Sequence, residues 1–220
     1  MSSPRAAVVL LSGGLDSGVA AARFVADGGR VVASLCFDYG QRAAARERAA
    51  AAALAARLGG AFVPVPLPWL ADVAARGGSA LLAGAGDIPH GTPERPGDAA
   101  SAAKVWVPAR NAVFVAIAAA YAEALAADCV VAGFNREEAA TFPDNSAEFL
   151  AAATRFLQTG TRTGVRVVSP TIGMDKPQIV AAARALGFAA GDFWSCYEGG
   201  AEPCRRCESC LRSDWRRGGA

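Results

Sequence analysis

Short, unbroken apolar runs alternate along this chain with longer stretches in which alanine, leucine and charged positions recur at helical spacing. Residues 6–11, 31–37, 62–67, 129–134 and 165–169 form the runs. They are too short for helices and too continuous for strands with one wet face, so they predict strands buried on both sides, as in parallel sheets. Residues 18–27, 41–58, 111–127 and 145–159 read as helices. Gly59-Gly60 ends the second, and Asn145 and Glu148 stand at capping-box spacing for the fourth. Asp175 reads as the cap of a further helix that ends at Gly187. This alternation predicts an α/β fold, a doubly wound parallel sheet with its ligand at the C-terminal strand ends. Residues 77–104 are rich in Gly, Pro and polar side chains and show no period, which reads as a lid or mobile loop. There is no internal repeat and no boundary before the cysteine-rich end. Residues 1–190 therefore read as one α/β domain and 191–220 as a small C-terminal segment.

Composition narrows the class. The 220 residues suffice for one sizeable core. Much of the 53% hydrophobic content is alanine, which predicts closely packed helices. The net charge is only +2 and no Lys/Arg block stands out, so a nucleic-acid surface has no electrostatic support. No apolar stretch of about 18 residues is free of charge, so no membrane span is expected. Residues 1–5 lead straight into the first run and leave no room for a signal peptide, so a cytoplasmic protein is expected. Six cysteines in that compartment point to metal binding or catalysis rather than to disulfides.

The densest chemistry follows the first run. Leu11-Ser12-Gly13-Gly14-Leu15-Asp16-Ser17 joins a strand to a helix. Gly13 and Gly14 permit a sharp turn and close approach to an anion. The Ser12 and Ser17 hydroxyls add donors, and the helix start adds free N–H groups and a positive dipole. An acid belongs beside phosphate only with a partner, so Asp16 is a candidate for Mg²⁺ or for the loop's own amides. An ordinary glycine turn is the plain alternative. The ATP-cassette signature Leu-Ser-Gly-Gly fails, because the chain lacks a Gly-x-x-x-x-Gly-Lys-Ser/Thr loop. The remaining reading is the pyrophosphate (PP) loop, Ser-Gly-Gly-x-Asp-Ser, of enzymes that split ATP into AMP and pyrophosphate.

Cys196, Cys204, Cys207 and Cys210 follow a C-x7-C-x2-C-x2-C pattern. Overlapping C-x2-C hooks and a fourth thiolate suit a tetrahedral ion, with Zn²⁺ expected and an iron–sulfur cluster as the alternative. Four ligands leave no open position, so such a metal is structural. Residues 199–220 carry five Arg against three acids, which offsets the site's negative charge. Cys36 and Cys129 lie in apolar runs and read as inert core thiols.

With this loop at one end and the cysteines at the other, the chain resembles the 7-cyano-7-deazaguanine synthases, over nearly its whole length. Tyr39-Gly40-Gln41-Arg42, Val107-Pro108-Ala109-Arg110-Asn111, Gly133-Phe134-Asn135, Phe142-Pro143-Asp144 and Trp194-Ser195-Cys196-Tyr197 match that family's landmarks in order. Ala43 stands where many members have His. The flank of Pro143-Asp144 also departs from the common Asp-Tyr-Ser-Gly-Tyr-Pro-Asp-Cys.

The resemblance implies an adenine nucleotide alpha hydrolase-like fold and an ATP-dependent carbon–nitrogen ligase of 7-deazapurine biosynthesis. Its substrates are 7-carboxy-7-deazaguanine, ATP and ammonia. Ser12, Gly13, Gly14, Leu15, Asp16 and Ser17 are assigned to pyrophosphate and Mg²⁺, with Asp38 as a further nucleotide contact or a mere acceptor of backbone donors, and Arg110 as a contact to phosphate or the substrate carboxylate, or simply a salt-bridged residue. Lys176 is a phosphate contact or a solvated first-turn lysine. Asn111, Phe142, Asp144 and Asn145 are assigned to the deazaguanine, Phe142 by stacking; helix capping is the alternative for Asp144 and Asn145. Glu137 or Glu138 is a candidate base, and His90, the single histidine, has no assigned role. The altered Pro-Asp flank admits a variant that stops at the amide or joins the acyl group to another amine. A tRNA thiolase lacks its reactive cysteine near the loop, and an amidotransferase lacks its glutaminase domain. A non-catalytic zinc module on an ATP-binding fold is the alternative outside enzymes. No nucleic-acid or membrane partner is expected, and a homodimer is the one assembly considered.

Overall fold

The computed structural model describes residues 5–215. Residues 1–4, which carry most of the leader argument, and 216–220, which hold two of the tail's arginines, lie outside the described residues. Five strands, β1 (Ala6–Leu10), β2 (Arg30–Asp38), β3 (Ala61–Pro66), β4 (Cys129–Val131) and β5 (Arg166–Val168), form one sheet in the order β3-β2-β1-β4-β5. Every neighbouring pair is parallel. The fold is therefore the doubly wound sheet that the apolar runs predict.

Alternation along β1 shows why those runs are continuous. Ala6, Val8 and Leu10 enter one core, and Ala7, Val9 and Leu11 enter the other. Helices α1 (Leu15–Ala26), α2 (Ala44–Leu58) and α8 (Lys176–Ala185) pack on the second face. Helices α3 (Pro68–Arg76), α5 (Arg110–Ala124) and α7 (Ala147–Gly160) pack on the first. Leu35 and Leu54 are among the fully buried side chains, one in each core. Cutting either to Ala costs about 2–5 kcal/mol, because the cavity left behind relaxes only partly.

The winding reverses at β1. The chain runs outward through β2 and β3, then returns to β1's other side as β4 and β5. That switch point opens a crevice beyond the C-terminal ends of β1 and β4.

Three local expectations are corrected. Helix α3 went unassigned: its nine residues, started by Pro68, are amphipathic but place only the i, i+4 pair Leu70 and Ala74 in the core. The stretch 77–104 contains the start of a short helix, α4 (Ala99–Val105), begun by a capping box between Asp98 and Ser101. Ala80, Leu81, Leu82 and Ile88 of the same stretch are buried. Helix α7 is capped by Ser146, whose hydroxyl accepts from Phe149 N–H at 3.0 Å. Asn145 is not its cap; it lies in a 3-10 turn, Pro143–Asn145, that precedes the helix. Two four- and five-residue helices, α6 (Arg136–Ala139) and α9 (Glu208–Arg212), complete the elements used below.

Candidate active site

The loop after β1 is shaped by two close approaches. Gly13 has φ +80°, and a Cβ there would lie 2.4 Å from the Glu47 carbonyl oxygen. Gly133, just after β4, packs so tightly that a Cβ would lie 2.6 Å from Ser17 N. Larger residues at either position would separate the loop from α2 or β4. The Ser12 and Ser17 hydroxyls are 3.0 Å apart, and Ser17 Oγ also donates to Gly14 O at 3.2 Å. Gly14 caps α1 without a side-chain acceptor, which leaves first-turn amides available to an anion. The C-terminal segment fastens the loop: Trp194 N–H donates to Gly13 O at 2.9 Å, and Leu15 N–H donates to Ser195 Oγ at 3.3 Å.

A buried ion cluster lies beside the loop. The Lys176 ammonium sits 2.6 Å from Asp16 Oδ2 and 2.9 Å from Glu138 Oε1, and its side chain is 3% exposed. It is thus neither solvated nor free; it balances two carboxylates. Burial pushes the Asp16 carboxyl up, and Lys176 opposes that without cancelling it. Burial also works against the Glu138 anion, but there the nearby Lys176 charge wins and holds the group low. Lys176 is held well above the ordinary lysine range because two anions outweigh its burial. Asp16 Oδ1 is buried and has no protein partner among the described residues. Glu137 is tied elsewhere, accepting from the Lys176 backbone N–H at 3.0 Å and from Arg212 at 2.9 Å.

Opposite the loop, α5 and the Pro143–Asn145 turn build a polar wall. Arg110 Nη1 donates to the Tyr39 hydroxyl at 3.2 Å. Asn111 Nδ2 donates to Asp144 O at 3.2 Å, and Asn145 Nδ2 donates to Asp144 Oδ1 at the same distance. Burial raises the Asp144 carboxyl, with the Arg110 charge opposing. The rings of Phe142 and Trp106 lie parallel within 6°, with centroids 6.3 Å apart. Gln41 locks the floor: Nε2 donates to Phe37 O at 3.0 Å and to Glu47 Oε2 at 2.8 Å, while Oε1 accepts from Tyr39 N–H at 2.9 Å.

One cleft thus gathers Ser12, Gly14, Asp16, Ser17, Arg110, Asn111, Phe142, Asp144, Asn145 and Lys176. Gly13 and the buried Leu15 shape the loop from behind and do not line the cleft. Asp38 does not line it either. Its carboxylate accepts from Gly40 N–H at 3.1 Å and faces Arg48 at 4.0 Å, so it orders the strand end. Sequence reasoning missed Tyr39, Gln41, Glu47, Trp106, Ser195 and Tyr197, which also line the cleft. Several belong to the landmark tetrapeptides, but nothing local signalled their chemistry.

The four C-terminal cysteines meet. Their sulfurs all lie within 4.8 Å of one another, with Cys204 and Cys210 at 4.0 Å. A tetrahedron built on metal–sulfur bonds of about 2.3 Å has edges of about 3.8 Å, so the cage fits one ion. Backbone N–H groups of Glu198 and Cys204 point at Cys196 Sγ, and that of Cys207 at Cys204 Sγ, all at 3.3 Å. Cys36 and Cys129, by contrast, are buried in the cores, and burial pushes their thiols up to about 12 and about 11. His90 pairs through its backbone with Cys207 and so joins the cysteine-bearing segment to the 77–104 stretch.

Comparison with known proteins places the chain in a family. A family model described as "Queuosine biosynthesis protein QueC" matches residues 6–216. A Pelotomaculum thermopropionicum protein named 7-cyano-7-deazaguanine synthase is 49% identical over 209 residues, 93% of each chain. A Methanothermobacter thermautotrophicus protein of the same name is 45% identical over 210 residues, 94% of this chain and 91% of that one. Among solved structures, a 4-thiouridine synthetase–RNA complex with bound ATP shares the fold, with a TM-score of 0.50 and 18% identity over 97% of this chain and 50% of that one. From residue 6 to 216, then, this chain is a member of the queuosine biosynthesis QueC family of enzymes.

Proposed function

We propose that the protein converts 7-carboxy-7-deazaguanine and ammonia to 7-cyano-7-deazaguanine, at the cost of ATP cleaved to AMP and pyrophosphate. The observation that carries this reading is a single cleft with the phosphate loop on one wall and the Arg110–Asn111–Asp144 cluster on the other. A carboxylate oxygen is a poor leaving group. Adenylation turns it into AMP, which leaves readily when ammonia attacks. The resulting amide, adenylated on oxygen by a second ATP, loses AMP and becomes the nitrile. The protein's share is positioning and charge stabilisation.

Ser12, Ser17 and the first-turn amides of α1 receive pyrophosphate. The orphaned Asp16 Oδ1 is the atom suited to a Mg²⁺ beside it, and that ion would supply charge neutralisation on the phosphates. Lys176 keeps Asp16 in place and keeps it from repelling Glu138. Asp144, its carboxylate flanked by Asn145 and Arg110, reads the deazaguanine edge, and Phe142 with Trp106 holds the ring plane. The four cysteines hold a structural Zn²⁺, since a closed thiolate cage has no position for substrate. In this reading residues 1–190 handle ATP and substrate, and 191–220 form the metal-bearing part that fastens the loop. The partners are small molecules, with no nucleic acid or membrane, and the setting is the cytoplasm; among the described residues no single helix is long and apolar enough to cross a bilayer.

The test is mass spectrometry of the product formed from 7-carboxy-7-deazaguanine, ATP and ammonium. The nitrile is expected. An amide or a conjugate as the end product refutes the second half of the reaction.

A further inference from the structure

Each amination releases a proton that the described chemistry has not placed. Ammonia attacks the acyl carbon, a C–N bond forms, the bond to the AMP oxygen breaks, and AMP leaves with that electron pair. The nitrogen then carries one hydrogen more than an amide holds.

Four carboxylates line the cleft: Asp16, Glu47, Glu138 and Asp144. Two, Asp16 and Glu138, share Lys176 at 2.6 and 2.9 Å, and Asp144, which accepts from Asn145 at 3.2 Å, is already assigned to the deazaguanine edge. An anion held by a neighbouring cation is a weak base. Glu137, the other base candidate by sequence, is bound to Arg212. Glu47 differs. Its one hydrogen-bond partner among the described residues is the neutral Gln41 amide, 2.8 Å from Oε2, and Oε1 has none. Gln41 is itself buried and fixed at three points, so it aims the carboxylate rather than neutralising it. Its charged surroundings are Asp38 from the end of β2 and Arg110 from the start of α5. Burial dominates, and the carboxyl is pushed above its ordinary range.

Position agrees with chemistry. Glu47 lies in the first turn of α2, whose backbone touches Gly13 of the phosphate loop. Its side chain lines the same cleft as the phosphate loop, beside Gln41 and within the field of Arg110.

We infer that Glu47 is the general base of amination, taking the surplus proton from the attacking nitrogen onto its Oε1. This rests on the reaction proposed above. Nitrile formation removes two further N–H protons, one as the amide oxygen takes the AMP group and one as the C–O bond to AMP breaks with AMP keeping the electron pair; Glu47, having passed each earlier proton to solvent, is the same acceptor for them.

The experiment compares wild type with Glu47→Gln, which keeps the size and can still accept from Gln41. Two rates are read on each protein. One is acid-dependent exchange of labelled pyrophosphate into ATP, which needs adenylation but no ammonia. The other is ammonia-dependent product formation. Exchange within about twofold of wild type, with amination at least about a hundredfold slower, is expected; the exchange also reports that the site is folded. Glu47→Asp should recover part of the amination rate. Equal amination rates in wild type and Glu47→Gln overturn the assignment while leaving the reaction intact. Parallel loss of both rates overturns it too, because it makes Glu47 a structural or nucleotide-binding residue. No exchange in wild type overturns the reaction itself, and this inference with it.

Discussion

Replacing Lys176 by Met tests the ion cluster at the centre of the cleft. Met fills much of the same volume and removes only the ammonium. Two carboxylates then remain, Asp16 and Glu138, formerly 2.6 and 2.9 Å from one cation whose side chain is 3% exposed. Removing one partner of a buried pair costs about 3–5 kcal/mol, because the remaining charge is left uncompensated. For a domain of this size each kcal/mol lowers Tm by about 2–4 °C, so a fall of about 6–20 °C follows. The pH dependence fixes the cause. In wild type, Glu138 is held low, so its contribution is present above its unfolded pKa and lost as pH falls through its folded one. Asp16 is raised, so its ionised form already works against folding above its unfolded pKa. Without Lys176 both groups prefer the neutral form, and acid supplies it. The deficit of Lys176→Met should therefore be largest near pH 7.5 and shrink toward pH 5. Urea titrations followed by tryptophan fluorescence at both pH values measure it. A deficit below about 1 kcal/mol, or one equal at both pH values, refutes the claim that Lys176 compensates buried charge.

Other outcomes follow from the same geometry. Asp144→Ala should weaken use of the deazaguanine acid at least about tenfold, or roughly 1.4 kcal/mol, with little change in the KM for ATP; equal losses for both substrates would point to a folding role. Cys207→Ser should lower metal content, measured by mass spectrometry, and the melting temperature, since structural zinc contributes on the order of 10 kcal/mol in small modules. Ser146→Ala should cost about 1 kcal/mol of stability through loss of the α7 cap, whereas Asn145→Ala should spare stability by comparison and act on substrate use.

Much of the fold was legible because the central strands β1, β2 and β4 are buried on both faces, although the edge strand β3 has no fully buried residue. An unbroken run such as Ala7-Val8-Val9 has no other stable place, and the phosphate loop at its end fixed which end of the sheet binds ligand. Elements that depend on partners were not legible. Helix α3 is amphipathic but spans only nine residues, and its buried face is the single i, i+4 pair Leu70 and Ala74. The cap of α7 fell to Ser146 rather than Asn145 because the Pro143 turn consumes the residue before it. Lys176 reads locally as any first-turn lysine; only the fold brings Asp16, 160 positions earlier, against it. Glu47 carries no chemical signal in the sequence; the fold brings it to the cleft beside Gln41. The cysteine cage was legible for the opposite reason, since its four sulfurs come from one short stretch.

The most direct test counts nucleotides against product. Purified protein is given 7-carboxy-7-deazaguanine, ammonium and limiting ATP, and nucleotides and deazaguanine species are resolved in one chromatogram. Two AMP and two pyrophosphate per nitrile, with no ADP, is the predicted result. ADP and phosphate as products would contradict the assignment of the Ser12-to-Ser17 loop to pyrophosphate.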